Sequence, residues 1–182
     1  MELDIFAVPD YLYGKDIKLV RKRLKLTQAQ FADLAQVSVK TVERWETQST
    51  PVTGPVVTLC KILREQPEIA EGLRIPKKEY PLRIWYMYRE MVCSIIDVDA
   101  LAKKVRVKNY TTDYLFRAFG NEENPSYEQF EAFLETRCFP ESRDKMKLIL
   151  RELDIPFYDP LMIIEKTQGR MAEDEFWIKM ER

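Results

Sequence analysis

The sequence of 182 residues contains no histidine. Histidine is the commonest general base near neutral pH and the commonest zinc ligand, so this absence argues against most hydrolytic enzymes and zinc proteins. Only five glycines are present, and they are too dispersed to form a glycine-rich phosphate-binding loop. We therefore expect a binding protein that is not an enzyme, with no catalytic residue, no metal and no cofactor.

Cysteine is also scarce. The three cysteines, Cys60, Cys93 and Cys138, are far apart and lack the spacing of metal ligands. Their apolar or aromatic surroundings predict buried free thiols in a reducing cytoplasm. No apolar stretch reaches the roughly 18 residues that a membrane span needs, and no basic region followed by an apolar one opens the chain. We therefore expect a cytoplasmic protein with no membrane contact.

The residues that are present suffice for two packed domains. Hydrophobic residues make up 46 % of the chain and aromatic residues 12 %. The formal net charge of −1 hides an asymmetry, because basic residues prevail in the first part of the chain and acidic residues in the rest. A polar stretch, Ile75–Tyr80 (IPKKEY), precedes Pro81 and is the best candidate linker. The predicted domains are residues 1–76 and 77–182.

The first domain reads as helices only. Apolar periodicity and capping signals predict helices over Asp16–Lys25, Thr27–Ala35, Ser38–Thr47, Pro55–Arg64 and Pro67–Leu73. Thr27 and Gln30 form a capping box, and Ser38 caps the next helix. Only Gln36 and Val37 remain between these two helices, so they must cross at a steep angle. This is a helix-turn-helix arrangement.

Two stretches, Leu26–Ala32 (LTQAQFA) and Ser38–Glu46 (SVKTVERWE), closely resemble the second and third helices of the phage-repressor-like regulators, the Cro/repressor or XRE-like family. The resemblance covers about residues 15–74. Leu63–Leu73 (LREQPEIAEGL) is also similar to the DNA-binding half of antitoxins of the MqsA type. The family likeness implies a head that binds double-stranded DNA.

The stretch departs from the family pattern in two places. Gln36 stands where a glycine is common, and Thr47–Gln48 replaces the usual Asn-Gly type of sequence. The first departure predicts a slightly different turn and no change of fold.

In this family the third helix enters the major groove with its N-terminus first, so its first two turns reach base edges. Here those turns supply Val39, Lys40, Thr41 and Arg44 for base contacts. By resemblance, Gln28 and Ser38 would bond phosphates. Non-specific attraction would come from Lys15, Lys18, Arg21, Lys22 and Arg23. The basic residues of the first helix are also compatible with an ordinary solvated face, and such domains also occur as dimerisation or protein-binding modules.

The second domain begins with period-2 alternation, which predicts three antiparallel strands at Leu82–Tyr88, Val92–Val98 and Val105–Asn109. Helices are predicted at Tyr127–Thr136, Pro140–Leu153 and Asp159–Gly169. Glu175–Met180 is compatible with a strand or a last helical turn. The predicted fold class is an N-terminal all-α helix-turn-helix domain followed by a C-terminal α+β domain, in which helices cover one face of an antiparallel sheet of about three strands.

One basic cluster stands out in this acidic domain. On a continuous helix Arg143, Lys147 and Arg151 would form a stripe at spacings of four residues. Such a stripe would bind an acidic partner, an anionic ligand or additional DNA, but internal salt bridges with the acidic helix Glu128–Glu135 are the favoured interpretation. Three residues near the C-terminus, Met171, Phe176 and Trp177, fit either a core or a partner-binding patch.

These observations favour a sequence-specific transcription regulator, a dimeric repressor that reads the major groove with residues 38–47. A homodimer is expected because one head buries too little surface for strong specific binding. The alternative is an antitoxin, whose residues 77–182 bind a toxin such as a HipA-like kinase while the head represses the shared operon. An enzyme directed to DNA is the least favoured hypothesis.

Overall fold

The computed structural model describes residues 6–182. The chain divides into two compact units, and the division falls between Ile75 and Pro76. The first unit is helical, and the second combines an antiparallel sheet with helices, so the predicted fold class is confirmed. None of the helices within residues 6–182 is long and apolar enough to cross a membrane.

The first unit contains the predicted helices with small changes at their ends. They are α1 (Gly14–Arg23), α2 (Gln28–Leu34), α3 (Val39–Thr47), α4 (Pro55–Glu65) and α5 (Glu68–Leu73). Their core includes Ile17, Phe31, Val42 and Leu63, each at most 1 % exposed. Each of these four side chains comes from a different helix, α1 to α4, so the buried faces of four short helices form one common core.

Side-chain caps set the starts of α2 and α3. The Thr27 hydroxyl accepts a hydrogen bond from the Gln30 amide, and the Gln30 side chain accepts one from the Thr27 amide. Ser38 caps α3 by accepting from the Thr41 amide at 3.2 Å. Between the helices Gln36 has a φ of +54°, the left-handed conformation that glycine favours. Gln36, which replaces the glycine common in the family, thus keeps the backbone conformation that a glycine would adopt.

The second unit is built on a four-stranded antiparallel sheet. Its strands are β1 (Leu82–Tyr88), β2 (Met91–Asp99), β3 (Lys104–Asn109) and β4 (Phe176–Glu181), in the order β3-β2-β1-β4. The C-terminal stretch, which the sequence left open, is therefore a strand. Helices α6 (Tyr127–Thr136), α7 (Met146–Glu152) and α8 (Pro160–Thr167) stand between β3 and β4 in the chain.

The helices cover one face of this sheet. Alternate residues of β1, β2 and β4, such as Ile84, Ile96 and Ile178, form one core with α6, α7 and α8. The helical side of that core includes Phe130, Phe133, Leu134, Leu150, Ile163 and Ile164.

The prediction of a helix from Pro140 to Leu153 is wrong in its first half. The helix begins only at Met146, because Lys145 has a left-handed φ of +61° that no α-helix continues. Arg143 therefore lies outside α7, and the predicted stripe of Arg143, Lys147 and Arg151 does not form. Only Lys147 and Arg151 share the helix at a spacing of four.

The opposite face of the sheet is covered at one end. Arg83 is 4 % exposed and forms an ion pair with Asp97 across β1 and β2, with distances of 2.6 and 2.7 Å. Pro76 of the candidate linker accepts a hydrogen bond from Arg83, and the Glu79 amide donates one to Asp97. Residues 76–79 thus belong to the second unit and cover this end of the sheet.

Candidate nucleic-acid interface

Helix α3 has one outward and one inward face. Val39 is 40 % exposed, and Lys40 and Arg44 are also exposed. In contrast, Val42 is fully buried and Trp45 packs against the core of the first unit. The spacing of three and four residues separates the two sets around the helix axis. Of the residues predicted to read bases, Val39, Lys40 and Arg44 are therefore exposed on α3, and Thr41 is half-buried.

The N-terminus of α3 presents two hydroxyl groups. The oxygens of Ser38 and Thr41 are 2.9 Å apart, and either hydroxyl can donate to the other. When Thr41 donates, Ser38 accepts from both the amide and the hydroxyl of Thr41, and its own hydrogen is free to bond a phosphate oxygen. This arrangement is compatible with the phosphate contact that the resemblance implies for Ser38.

Gln28 is held by a carboxylate that the sequence reasoning overlooked. Its side-chain amide donates to Glu46 at 3.0 Å, and Glu46 also accepts from Arg21 at 2.6 and 2.9 Å. The side chain of Glu46 is only 3 % exposed. Hydrogen bonding from Arg21 is the main cause of the lowered pKa of Glu46. One buried carboxylate therefore joins α1, the start of α2 and the end of α3.

Arg21, which was expected to attract DNA phosphates, is engaged by groups of the head itself. Besides its ion pair with Glu46, the guanidinium donates to the Leu26 carbonyl at 2.9 Å, and the side chain is 11 % exposed. A guanidinium engaged in this way orients helices inside the head, whereas Lys18 on the same helix is exposed. We therefore assign Arg21 a positioning role.

Gly14 is a second residue that the sequence reasoning overlooked, and it sets how closely α1 approaches α3. A Cβ atom added to Gly14 would lie 2.1 Å from the Trp45 carbonyl oxygen, so only glycine permits this approach of α1 to α3. Nothing in the local sequence distinguishes Gly14 from a loop glycine, because the contact joins residues that are far apart in the chain.

Other cations of the head remain on its surface. Lys15, Lys22 and Arg23 are exposed. The Arg23 guanidinium donates to the Arg64 carbonyl at 3.3 Å, and the Lys15 ammonium lies 5.9 Å from the centre of the Tyr13 ring. These weak contacts leave their charges available to phosphates.

In the second unit the basic candidates do not form one site. Lys147 and Arg151 line an open cleft beside Asp154, and Arg143 lies against the Phe139 ring at 5.8 Å. Within residues 6–182, neither Arg143, Lys147 nor Arg151 forms an ion pair with the acidic helix α6, so the favoured interpretation is wrong.

Arg137, six residues before Arg143, is a buried cation that does have an ionic partner. It is 6 % exposed and binds Asp174 at 2.6 Å and the Gly169 and Phe176 carbonyls. The next residue, Glu175, pairs with Arg89. The adjacent carboxylates Asp174 and Glu175 therefore each bind an arginine.

The cysteines have the positions predicted for them. Cys60, Cys93 and Cys138 are buried free thiols, and burial raises the pKa of Cys60 to about 11. Such thiols are protonated and unreactive near neutral pH. Among the described residues, no three Cys, Asp or Glu side chains are grouped as a metal site would require.

Comparison with known proteins finds one family whose model matches the first unit. The model of the helix-turn-helix family matches residues 17–63, from α1 to α4. The head is therefore a helix-turn-helix domain of the XRE type, and the match supports a DNA-binding regulator. No curated protein matches the chain.

Proposed function

We propose, from the XRE-type helix-turn-helix domain in residues 17–63, that the chain is a sequence-specific transcription regulator that binds double-stranded DNA as a dimeric repressor. The observation that carries the proposal is the orientation of α3. Its polar face with Lys40 and Arg44 is exposed, while Val42 and Trp45 hold the helix on the head. The proposed activity is binding and not catalysis.

The chemistry of the exposed face suits base reading in the major groove. Arg44 and Lys40 carry donors for the O6 and N7 atoms of guanine, and Val39 and the Thr41 methyl group fit a thymine methyl group. Ser38 and Gln28, at the N-termini of α3 and α2, would bond phosphates. Exposed Lys18 adds attraction that does not depend on the base sequence.

Dimerisation follows from the size of the reading surface. One head presents a single helix of nine residues, from Val39 to Thr47. Specific affinity usually requires a larger interface than one such module provides, and two heads on a palindrome double the contacts. A dimer that covers a promoter blocks polymerase, which is why we propose repression.

The test is fluorescence polarisation with the DNA upstream of the chain's own gene and with a shuffled sequence of the same composition. We expect tight binding to the first DNA only. Arg44→Ala and Lys40→Ala should each weaken specific binding by about 5- to 150-fold, the value of one lost base contact. Lys61→Ala is the matched control, because Lys61 lies on α4 and pairs with Glu65.

The outcomes separate the parts of the proposal. Equal affinity for both DNAs would contradict sequence-specific regulation. Full affinity in both α3 variants would contradict the assignment of Lys40 and Arg44. A sedimentation measurement that shows one chain per operator would contradict the dimer.

A second candidate function is that of an antitoxin. It is favoured by the face of the sheet with Trp85 and Trp177, which the helices of the second unit leave partly open. In this function residues 77–182 would bind a toxin, such as a HipA-like kinase, while the head represses the shared operon. Co-expression with the product of the neighbouring gene tests it, and we expect a complex that survives gel filtration and loss of the kinase activity.

A further inference from the structure

The sheet of the second unit has a face that the helices do not cover. One end of this face is closed by residues 76–79, which bond Arg83 and Asp97. Farther along the strands, Trp85 and Met87 of β1 and Trp177 of β4 are only partly buried, and none of the three belongs to the helix-covered core. Large apolar side chains therefore remain partly open to solvent on this face.

Cross-strand pairing gathers these side chains into one surface. Trp85 pairs with Ile95 on β2 and with Lys179 on β4, and the next row on the same face joins Met87 with Val92 and Trp177. Directly paired residues point to the same face, and neighbouring strands are about 4.8 Å apart. We call this surface the indole patch, and it consists of Trp85, Met87, Val92, Trp177 and Lys179. Ile95 is only 2 % exposed and adds no accessible surface to it.

The polar atoms of both indoles already have partners. Trp177 Nε1 donates to the Arg89 carbonyl at 2.6 Å, and Trp85 Nε1 donates to Glu181 at 3.4 Å. The exposed parts of the rings are therefore carbon. Burying them against a partner would cost no hydrogen bond and would remove apolar surface from water.

Positive charge lies beside each indole. The Lys179 ammonium is 5.5 Å from the centre of the Trp85 ring, and the Arg170 guanidinium is 5.0 Å from that of Trp177. Neither cation forms an ion pair within residues 6–182, where Arg170 has a hydrogen bond to Gln168. The indole patch is thus apolar at its centre and positive at its rim.

The nearby carboxylates do not neutralise this rim. Glu175 accepts from Arg89 at 2.6 Å and from the Tyr88 hydroxyl. Glu181 lies 3.9 Å from the Lys78 ammonium and accepts from Trp85. The charges of Lys179 and Arg170 are therefore available to carboxylates from outside the chain.

These features select among possible occupants. A second copy of the chain, related by a two-fold axis, would bring the same cations together, which is unfavourable. A single-stranded nucleic acid needs open ring faces for base stacking, but Lys179 and Arg170 lie over the faces of the two indoles. A protein surface with carboxylates could form ion pairs with Lys179 and Arg170 without moving them from the indoles.

We propose that the indole patch is a docking surface for a protein partner whose contact region is apolar at its centre and rich in carboxylates at its rim. Trp, Met and Arg are enriched at the centres of protein interfaces, and opposite charges at the rim steer association. The indole patch belongs to the second unit and α3 to the first, so this proposal does not rest on DNA binding.

The test uses the full chain and the indole N–H resonances of its three tryptophans. Trp45 lies in the head and serves as the internal reference. The probe is a synthetic peptide with a leucine-rich centre and glutamates at both ends, and a second peptide carries lysines in place of the glutamates. We expect only the glutamate peptide to shift the resonances of Trp85 and Trp177, with Trp45 unchanged.

Charge reversal on the patch supplies the matched variants. Lys179→Glu should weaken binding of the glutamate peptide by at least about fivefold, because it replaces an ion pair with repulsion. Lys166→Glu is the control, since Lys166 is exposed on α8, which packs on the other face of the sheet. We expect the control to bind as the unaltered chain does.

Four outcomes would overturn the proposal. The first is the absence of any shift at Trp85 and Trp177 with the glutamate peptide, and the second is an equal response to the lysine peptide. The third is a shift of the Trp85 and Trp177 resonances with oligodeoxythymidylate but not with the glutamate peptide, which would assign the surface to single-stranded nucleic acid. The fourth is a shift on raising the protein concentration alone, which would assign it to a second copy of the chain.

Discussion

Arg21 and Glu46 form a two-point ion pair that joins α1 to the last turn of α3. The distances are 2.6 Å from Nε to Oε1 and 2.9 Å from Nη2 to Oε2. Gln28 at the start of α2 donates to the same carboxylate. Three helices therefore depend on one buried charge, and the direction in which α3 presents Arg44 depends on them.

Arg21→Ala should destabilise the head by about 3 kcal/mol, because it leaves the buried Glu46 carboxylate without its cation. Hydrogen exchange of the α1–α3 amides measures this loss in the head alone. Lys22→Ala is the control, because Lys22 is exposed on the same helix, and a surface change of this kind stays within about 0.5 kcal/mol. An equal effect of the two substitutions would contradict a structural role for the pair.

The same pair gives a dependence on pH. The pKa of Glu46 is lowered in the folded state, chiefly by hydrogen bonding from Arg21. Its stabilising contribution is therefore complete above the unfolded value of about 4.3, and it is lost as the pH falls through the lower folded value. The difference in stability between the unaltered chain and Arg21→Ala should shrink as the pH is lowered from 7 to about 3. A constant difference would contradict the linkage.

Gly14→Ala should also disturb the head, for a steric reason. The added Cβ would lie 2.1 Å from the Trp45 carbonyl oxygen, and forcing α1 and α3 apart costs about 2 kcal/mol or more. Gly72→Ala is the matched control. Gly72 lies in α5 with no atom within 4 Å of the added Cβ, so this change should gain about 0.5–1 kcal/mol from helix propensity. Thermal unfolding with opposite shifts for the two variants is the expected result.

Local signals accounted for much of the fold. The starts of α2, α3, α6 and α8 were predicted because Thr27, Ser38, Ser126 and Asp159 bond amides within three residues of themselves. The start of α7 was misjudged because the helix was placed directly after Pro140, whereas its apolar residues begin only at Met146, after a left-handed turn at Lys145.

The remaining features depend on residues far apart in the chain. In the sequence Arg83 resembles a solvated cation, because its partners Asp97 and Pro76 are 14 and 7 residues away along the chain. β4 was undecided because its partner β1 lies about ninety residues earlier, and a short amphipathic stretch near a terminus fits helix and strand alike. Val39, Lys40 and Arg44 were predicted to face outward and are exposed, but the Glu46 carboxylate that fixes the end of α3 was not predicted.

Asp97→Asn tests the buried pair of the second unit. Burial raises the pKa of Asp97, but hydrogen bonds from the Arg83 guanidinium and the Glu79 amide outweigh it and lower this pKa overall. The substitution leaves Arg83 buried and unpaired and should cost about 3 kcal/mol at pH 7 in urea unfolding. Because the folded pKa of Asp97 lies below the unfolded value of about 3.9, this cost should fall as the pH drops below about 4.

The control for Asp97→Asn comes from the same face of the sheet. Arg106 pairs with Glu79, but its side chain is 65 % exposed. Exposed ion pairs contribute about 0–1 kcal/mol, so Arg106→Ala should have a small effect. Equal losses in the two variants would show that burial of the Arg83 pair does not set its contribution.

Salt dependence should separate the two classes of DNA contact in the head. Lys18 is exposed on α1 and is expected to face a phosphate, so Lys18→Ala should weaken binding to every DNA sequence equally and reduce the log–log salt slope by about 0.9. Arg44→Ala should instead weaken binding to the operator by about 5- to 150-fold and leave non-specific binding nearly unchanged. Polarisation titrations from low to physiological salt on operator and shuffled DNA measure both effects. If Arg44→Ala weakened both DNAs equally, its guanidinium would contact the backbone, and base reading would have to come from Val39, Lys40 and Thr41.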